Sequence, residues 1–182
     1  MNKLVIHKYL HEIFEDIENS ENRAEAAEKL VYYNKNLPPK HALAMRDLLK
    51  VALDERIVIR LPVSTPPYRP CGEHNAPSNV FNEMPKFRFL VDNLQTTVAS
   101  SNKREKIFLG MLESIHPKDA EILVNAIKKK IDYKHMTPTT VRLAFGDEPF
   151  FVEDKLIKEG KLKRPAPAIT QRMPAPTAVA EA

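Results

Sequence analysis

Apolar residues recur every three or four positions through most of the chain, which is the spacing of amphipathic α-helices. In the first third this pattern predicts three helices. The first runs from Leu4 to Ile17, and the second covers "ENRAEAAEKLVYYN" after an N-cap at Ser20. The third covers "KHALAMRDLLKVALDER" after two consecutive prolines. The short run "RIVIRLP" that follows is β-branched and favours an extended segment.

A proline-rich stretch from Pro62 to Pro85 interrupts the helical pattern, with six of the fifteen prolines in the chain. Proline fixes φ and has no backbone N–H to donate, so this stretch predicts an irregular connector on the surface. Three of its residues, Tyr68, Val80 and Phe81, are large and apolar enough to hold the connector against the core.

Helical spacing returns in the second half. "KFRFLVDNLQTTVA" predicts one helix, and "KREKIFLGMLESI" predicts another that begins at a capping box of Asn102 and Glu105. The next helix begins at Pro117, with Ser114 or His116 before it as cap, and its buried stripe predicts that it continues to Ile131.

Two more helices complete the pattern. "MTPTTVRLAFG" has the cap Thr137, a first-turn proline and Gly146 past its end. A last helix is expected over about 151–159. The predicted fold is therefore all-α, a compact bundle of about seven or eight short helices in two halves. The predicted boundaries are a helical domain over 1–160, formed by helical halves 1–60 and 86–160 around the connector 61–85, and a disordered basic Pro/Ala tail over 161–182.

Length and composition fit one soluble globular domain. The chain has 182 residues, 43% of them hydrophobic and 29% charged, and no apolar run approaches the roughly 18 residues that a membrane span needs. The first residues mix acids and bases into an apolar stripe and do not resemble a secretory signal. We expect a cytoplasmic protein with no membrane partner.

No pattern in the sequence predicts catalysis, a metal or a cofactor. Cys71 is the only cysteine, and with His74 it forms one ligand pair without a second nearby. His7 and His11 are four residues apart but lack a third ligand, so they are interpreted as histidines on a helix surface. The four glycines are too far apart for a phosphate-binding loop. We therefore predict a non-enzymatic protein without a cofactor.

Positive charge is concentrated near one end of the second half. The formal net charge is only +4, but Ser101 to Phe145 holds nine Lys or Arg against five Asp or Glu. Lysines at a helix end followed by hydroxyls at the next helix start favour a phosphate contact. The alternative is a solvated helix end, where lysines offset the helix dipole beside an ordinary Thr-Pro cap. The candidate DNA-binding residues are Lys128, Lys129, Lys130, Lys134, Thr137, Thr139, Thr140 and Arg142.

The order and lengths of these helices resemble a known domain. The stretch "FRFLVDNLQTTVASSNKREKIFLGMLESIHPKDAEILVNAIKKKIDYKHMTPTTVRLAFG" is similar to the second half of the N-terminal helical DNA-binding domain of phage-type and eukaryotic ATP-dependent DNA ligases. The likeness extends over Ile13 to Phe145. In that family the domain grips duplex DNA across the minor groove through the phosphates. The resemblance implies such contacts for the basic helix end, Lys128 to Lys130, and for the turn residues Lys134, Thr137, Thr139 and Thr140.

Two features depart from the ligase pattern. The family usually has a glycine in the turn where this chain reads "DYKHMTP". The adenylated lysine of ligases stands in a Lys-x-Asp-Gly motif, and the nearest string here, from Lys130 to Tyr133, lacks the glycine. No ligase activity is therefore expected. A free-standing module of this kind also resembles uncharacterised proteins of large tailed bacteriophages, especially cyanophages, and a viral chain would act in the host cytoplasm.

Two functions are consistent with these patterns. The first is a non-catalytic module that binds double-stranded or branched DNA through its phosphates with little sequence preference, and that recruits a replication, repair or virion protein. The alternative is a phage protein-interaction or virion-associated adaptor that does not bind DNA. In that case the connector from Pro62 to Pro85 would be the binding surface, with the tail as a tether.

Overall fold

The computed structural model describes residues 9–54, 57–61, 66–91 and 100–146. Within these ranges the chain forms seven α-helices, one 3-10 helix and no named strand, which confirms the all-α prediction. None of these helices is both long and apolar enough to cross a membrane. The predicted helix over 151–159, the tail 161–182 and the first five residues of the predicted first helix lie outside the described residues. The α-helices are α1 (Leu10–Glu18), α2 (Arg23–Asn36), α3 (Pro39–Leu53), α4 (Val80–Glu83), α5 (Ser101–Ser114), α6 (Pro117–Ile127) and α7 (Pro138–Phe145).

The first three helices lie where the apolar spacing predicts them. α2, however, begins two residues later than expected, because the side chain of Asn22, not that of Ser20, accepts a hydrogen bond from the backbone N–H of Glu25 at 2.9 Å. α3 starts at Pro39, a position where a backbone N–H would have no partner within the helix, so proline breaks no helical hydrogen bond there. After α3, Ile59 forms an isolated antiparallel bridge with Val91, so "RIVIRLP" contributes one extended contact and no strand.

The connector contains more regular structure than its prolines predict. Its last residues form α4, capped by Asn79, and a 3-10 helix over Met84–Phe89. Val80 and Phe81 are buried as expected, and Tyr68 packs against the core as a half-buried residue. Backbone bonds also hold this region to the end of α5, since the N–H of Ser78 donates to the carbonyl of Ser114 at 2.8 Å.

The α-helix predicted by "KFRFLVDNLQTTVA" is wrong over its described part. The chain leaves the 3-10 helix after Phe89, and Leu90 then accepts a hydrogen bond from the N–H of Arg60 at 2.8 Å. Leu90 and Val91 still donate to the carbonyl of Phe87, but the chain there also pairs with the segment around Ile59, a tertiary contact that apolar spacing does not reveal. The N-cap of α5 is Ser100 rather than the predicted Asn102.

One hydrophobic core joins the two halves of the chain. Residues from all seven α-helices contribute to a single cluster of buried side chains, with Phe14, Leu30, Met45, Phe108 and Leu123 among its fully buried members. α7 packs against α2, and α6 packs against α3 and α1. The later helices therefore cover the earlier ones, and the end of α6 and the start of α7 are fixed on this core.

Candidate nucleic-acid interface

The three consecutive lysines form a turn after α6 and not its last helical turn. α6 ends at Ile127, so the predicted extension to Ile131 is wrong. The N–H of Lys129 donates to the carbonyl of Ala126 at 3.0 Å and the N–H of Lys130 donates to that of Asn125 at 2.9 Å, the pattern of a Schellman motif. Lys129 occupies the left-handed position of this motif, with φ 60°, where glycine is usual. The motif sends the three side chains in different directions.

The side chain of Lys129 turns into the protein. Its ammonium group donates to the carbonyl oxygen of Val51 at 2.6 Å and to that of Asp54 at 2.9 Å, at the C-terminal end of α3. A cation at this end of a helix offsets the negative end of the dipole and satisfies carbonyls that have no helical partner. Lys129 therefore joins α6 to α3 and does not present its charge to the surface.

The other two lysines of the turn are exposed, and they differ in their partners. The ammonium of Lys130 lies 2.5 Å from a carboxylate oxygen of Asp132, and that carboxylate also accepts from the side-chain amide of Asn125 at 2.8 Å. Lys128 and the following Lys134 are exposed, and no described acid lies within ion-pair distance of either. The charge that an incoming phosphate would meet first therefore comes from Lys128 and Lys134.

The start of α7 is built as the sequence predicts. Thr137 is the N-cap, its hydroxyl accepts from the backbone N–H of Thr140 at 3.3 Å, and the two hydroxyls are 3.0 Å apart. Thr140 is fully buried, so its hydroxyl serves the cap. Thr139 and Arg142 are exposed on the first two turns. Of the predicted threonines, Thr139 alone offers an exposed side chain to a ligand.

A cleft of about 320 Å³ lies beside this turn, between α1, α6 and residues 131–133. It is lined by Glu15, Lys118, Glu121, Asn125, Asp132, Ile122, Ile131 and Tyr133. Burial raises the pKa of the Tyr133 phenol to about 12, and the charges of Glu15, Asp119, Glu121 and Glu18 add to this effect. Three of the lining residues are acidic and one is basic, a balance that does not favour phosphate.

Sequence patterns also missed a buried polar cluster on the other side of α6. His11, expected on a helix surface, is buried, and its ring lies against Asp119 and His116. His7 lies outside the described residues. The only signal for this cluster was the acid in the first turn of α6, which the helix dipole explains equally well. Within the described ranges, no three His, Cys, Asp or Glu side chains are placed to hold a metal ion.

Fold and site together describe a small all-helical protein with one basic turn on an otherwise mixed surface. A family model matches residues 13–133, and the chain therefore belongs to this family of unknown function, DUF6433. No curated protein and no solved structure matches the chain. The family match begins within α1, covers α2 to α6 and ends before α7 begins.

Proposed function

We propose that this protein is a non-catalytic DNA-binding module that contacts phosphates through the turn after α6 and the first turns of α7. The observation that carries the proposal is local charge. Residues 128–142 contain five Lys or Arg and one Asp, so five minus one leaves a net charge of +4. Four of those five cations are exposed, and the fifth is Lys129.

The contacts that support phosphate binding are fewer than the sequence predicts. Lys128 and Lys134 carry exposed charge, Thr139 offers a hydroxyl, and Arg142 lies one turn further along α7. Lys130 shares its charge with Asp132. Lys129 and Thr140 support the turn from inside, so in this proposal they position the contacts without touching DNA.

Binding of this type is governed by counterion release. Each lysine that neutralises a phosphate releases condensed cations, so affinity falls as salt rises and depends little on base sequence. Arg142 is the only guanidinium in the set and lies beyond the first turn of α7. A preference for particular bases is therefore not expected, and the resemblance to the ligase domain points to the same backbone recognition.

Fluorescence anisotropy with a labelled short duplex at low salt tests the proposal. We expect binding in the range of about 1–100 μM, weakening as salt rises. The double variant Lys128→Ala, Lys134→Ala should weaken binding to all sequences alike and reduce the slope of log affinity against log salt by about 2.

Lys103→Ala, Lys106→Ala on α5 is the matched control, because both lysines are exposed and the charge change is equal. This variant should keep more affinity than the double variant in the turn. Equal losses in the two variants would mean that binding follows net charge and not this site. No binding at about 100 μM protein and low salt would exclude the proposal.

The alternative function, a phage or virion protein-interaction adaptor, gains support from one observation. Of the three consecutive lysines, one is internal and one is paired with Asp132, so the basic surface is smaller than the sequence implies. The connector then offers exposed residues from Pro67 to Asn75 over a backbone fixed to α5. Recovery of one specific protein partner from expressing cells after nuclease treatment, with no DNA binding in the anisotropy assay, would favour this function.

A further inference from the structure

The amino ends of α1 and α6 meet at one buried carboxylate. Asp119 lies in the first turn of α6 and is 0% exposed. Its Oδ1 accepts from the backbone N–H of His11 at 2.8 Å, and its Oδ2 accepts from that of Leu10 at 3.4 Å. One acid therefore satisfies unpaired N–H groups of α1 while it stabilises the positive end of α6.

Two imidazoles are stacked beside this carboxylate. The rings of His11 and His116 have centroids 4.4 Å apart and an interplanar angle of 25°, and the ring of Tyr9 covers both. Both histidines are buried. We call His11, His116 and Asp119 the histidine cluster. It stands outside the proposed phosphate contacts and has no part in them.

The two histidines differ in what a proton would do to them. Nδ1 of His11 lies 2.9 Å from Oδ1 of Asp119, so this nitrogen carries a hydrogen and donates it to the carboxylate, a bond that leaves the other ring nitrogen uninvolved. Nδ1 of His116 instead accepts from the backbone N–H of Lys118 at 3.2 Å, which makes His116 the N-cap of α6. A nitrogen that accepts a hydrogen bond cannot hold a proton of its own, so protonation there removes the cap.

The surroundings of His116 also disfavour a cation. Burial lowers the pKa of its imidazole, and the neighbouring His11 lowers it further, as does the Lys118 ammonium, while Asp119 and Glu73 act in the opposite direction. The ring stands at the positive end of the α6 dipole. The titratable and charged groups facing the cluster come from α1, α6 and the connector, and they are Tyr9, His11, Glu15, Glu73, Lys118 and Asp119.

We infer that the histidine cluster is an acid-sensitive contact that holds the amino end of α1 on α6 at neutral pH and releases it in mild acid. A proton on His116 removes the cap of α6 and places a cation 4.4 Å from the ring of His11, at the positive end of the α6 dipole. Release frees the start of α1, while the core built on Phe14 and Ile17 remains.

The direction of the pH dependence follows from the linkage between proton binding and unfolding. Because the pKa of His116 is lower in the folded protein than in the unfolded chain, the unfolded chain binds more protons below about pH 6.5. The contribution of the neutral ring is therefore complete above that pH and is lost as the pH falls through the folded pKa. As the pH falls from about 6.5 to the folded pKa, the opening equilibrium should rise by at most about tenfold per pH unit.

Amide hydrogen exchange of the full chain between pH 7 and pH 5 tests the inference, with protection factors corrected for intrinsic rates. We expect protection of the Leu10 and His11 amides to fall as the pH drops below about 6.5, by at most about tenfold per unit. The variant His116→Asn keeps a good N-cap that does not titrate, so its protection should stay level. His135→Asn, which changes a histidine outside the cluster, should behave as the wild type.

An equal fall in the wild type and His116→Asn would overturn the inference, and so would level protection in the wild type. If His116→Asn does not fold, NMR of the imidazole carbons in the wild type decides the question. Protonation of His116 should then coincide with loss of protection at Leu10 and His11. Protonation with those amides still protected would equally overturn it.

Discussion

The ammonium nitrogen of Lys129 lies 2.6 Å from the carbonyl oxygen of Val51, where α3 ends. This contact crosses from the turn after α6 to a helix of the first half, and the same ammonium also reaches the carbonyl of Asp54. A lysine that looks like one of three surface charges in the sequence is thus part of the framework that holds the proposed DNA-binding turn.

Replacing Lys129 should therefore destabilise the protein in a graded way. Lys129→Ala loses charged hydrogen bonds and keeps the left-handed backbone, so we expect a loss of about 2 kcal/mol in the free energy of unfolding. Lys129→Gly loses the same bonds but fits φ 60° without strain, so it should cost about 1 kcal/mol less. Urea titration followed by circular dichroism measures both.

Lys128→Ala is the control for this series, because Lys128 is the exposed neighbour in the same turn. It should change the unfolding free energy by less than about 0.5 kcal/mol. If Lys129→Ala and Lys128→Ala are equally stable, the bonds to α3 contribute nothing measurable and Lys129 is an ordinary surface lysine.

Asp119→Ala should be among the most destabilising polar substitutions in the chain. It leaves two buried N–H groups of α1 and the ring of His11 without their acceptor, and we expect a cost of about 3 kcal/mol. Asp119→Asn keeps an acceptor oxygen and should cost less. Glu121→Gln, on the exposed side of the same helix, should stay within about 0.5 kcal/mol. Thermal unfolding in which all three variants match would contradict the central role of Asp119.

The same substitution at two glycines should have opposite effects. Gly110 is exposed within α5, and a Cβ there meets no atom within 4 Å, so Gly110→Ala should stabilise the protein by about 0.5–1 kcal/mol. Gly146 ends α7 with φ 68° and ψ −163°, a conformation that an alanine avoids, so Gly146→Ala should cost about 1 kcal/mol or more. Urea midpoints that shift in the same direction would contradict this description of α5 or α7.

Alkaline pH should weaken the fold through Tyr133. Its pKa is raised to about 12 in the folded protein, while in the unfolded chain it is about 10. The unfolded chain therefore loses the proton first, and stability falls as the pH rises from about 10 through 12. Tyr133→Phe cannot titrate, so the difference between its urea midpoints at pH 9 and pH 11 should be smaller than in the wild type. Identical differences would show that Tyr133 does not contribute.

Apolar spacing predicted the large helices because each one buries a continuous stripe on the common core. α1, α2, α3, α5 and α6 all overlap the predicted stretches, although their ends differ from the predicted ones, by four residues at the end of α6, and Thr137 and Gly146 delimit α7 as expected. Helix ends were less predictable. Asn22 and Ser100, and not the predicted residues close to them, are the N-caps of α2 and α5, and the 3-10 helix ends at Phe89, close to the bridge between Ile59 and Val91. The exact helix ends could not be predicted, because they depend on contacts with residues distant in sequence or on which of two neighbouring polar residues acts as the cap.

Local sequence patterns predict the structure of the candidate site less well than they predict the helices. Cap signals placed the start of α7 correctly, but the lysines were predicted inside α6, and no local pattern distinguishes Lys129 from Lys128 and Lys130. A Schellman motif is usually recognised by its glycine, and this one has a lysine in that position. The histidine cluster could not be predicted from the sequence either, since His11 and Asp119 are in contact although they are 108 residues apart in the chain.

That separation affects how the chain reaches its native state. α1 is synthesised before α6, yet the acceptor for its first N–H groups is Asp119. α2 packs mainly against α7, which is made later still. Several contacts of the amino-terminal helices therefore become available only after the second half is made, and folding depends on contacts that are long-range in sequence. A chain truncated before α6 should remain a substrate for proteases and chaperones until the second half is made.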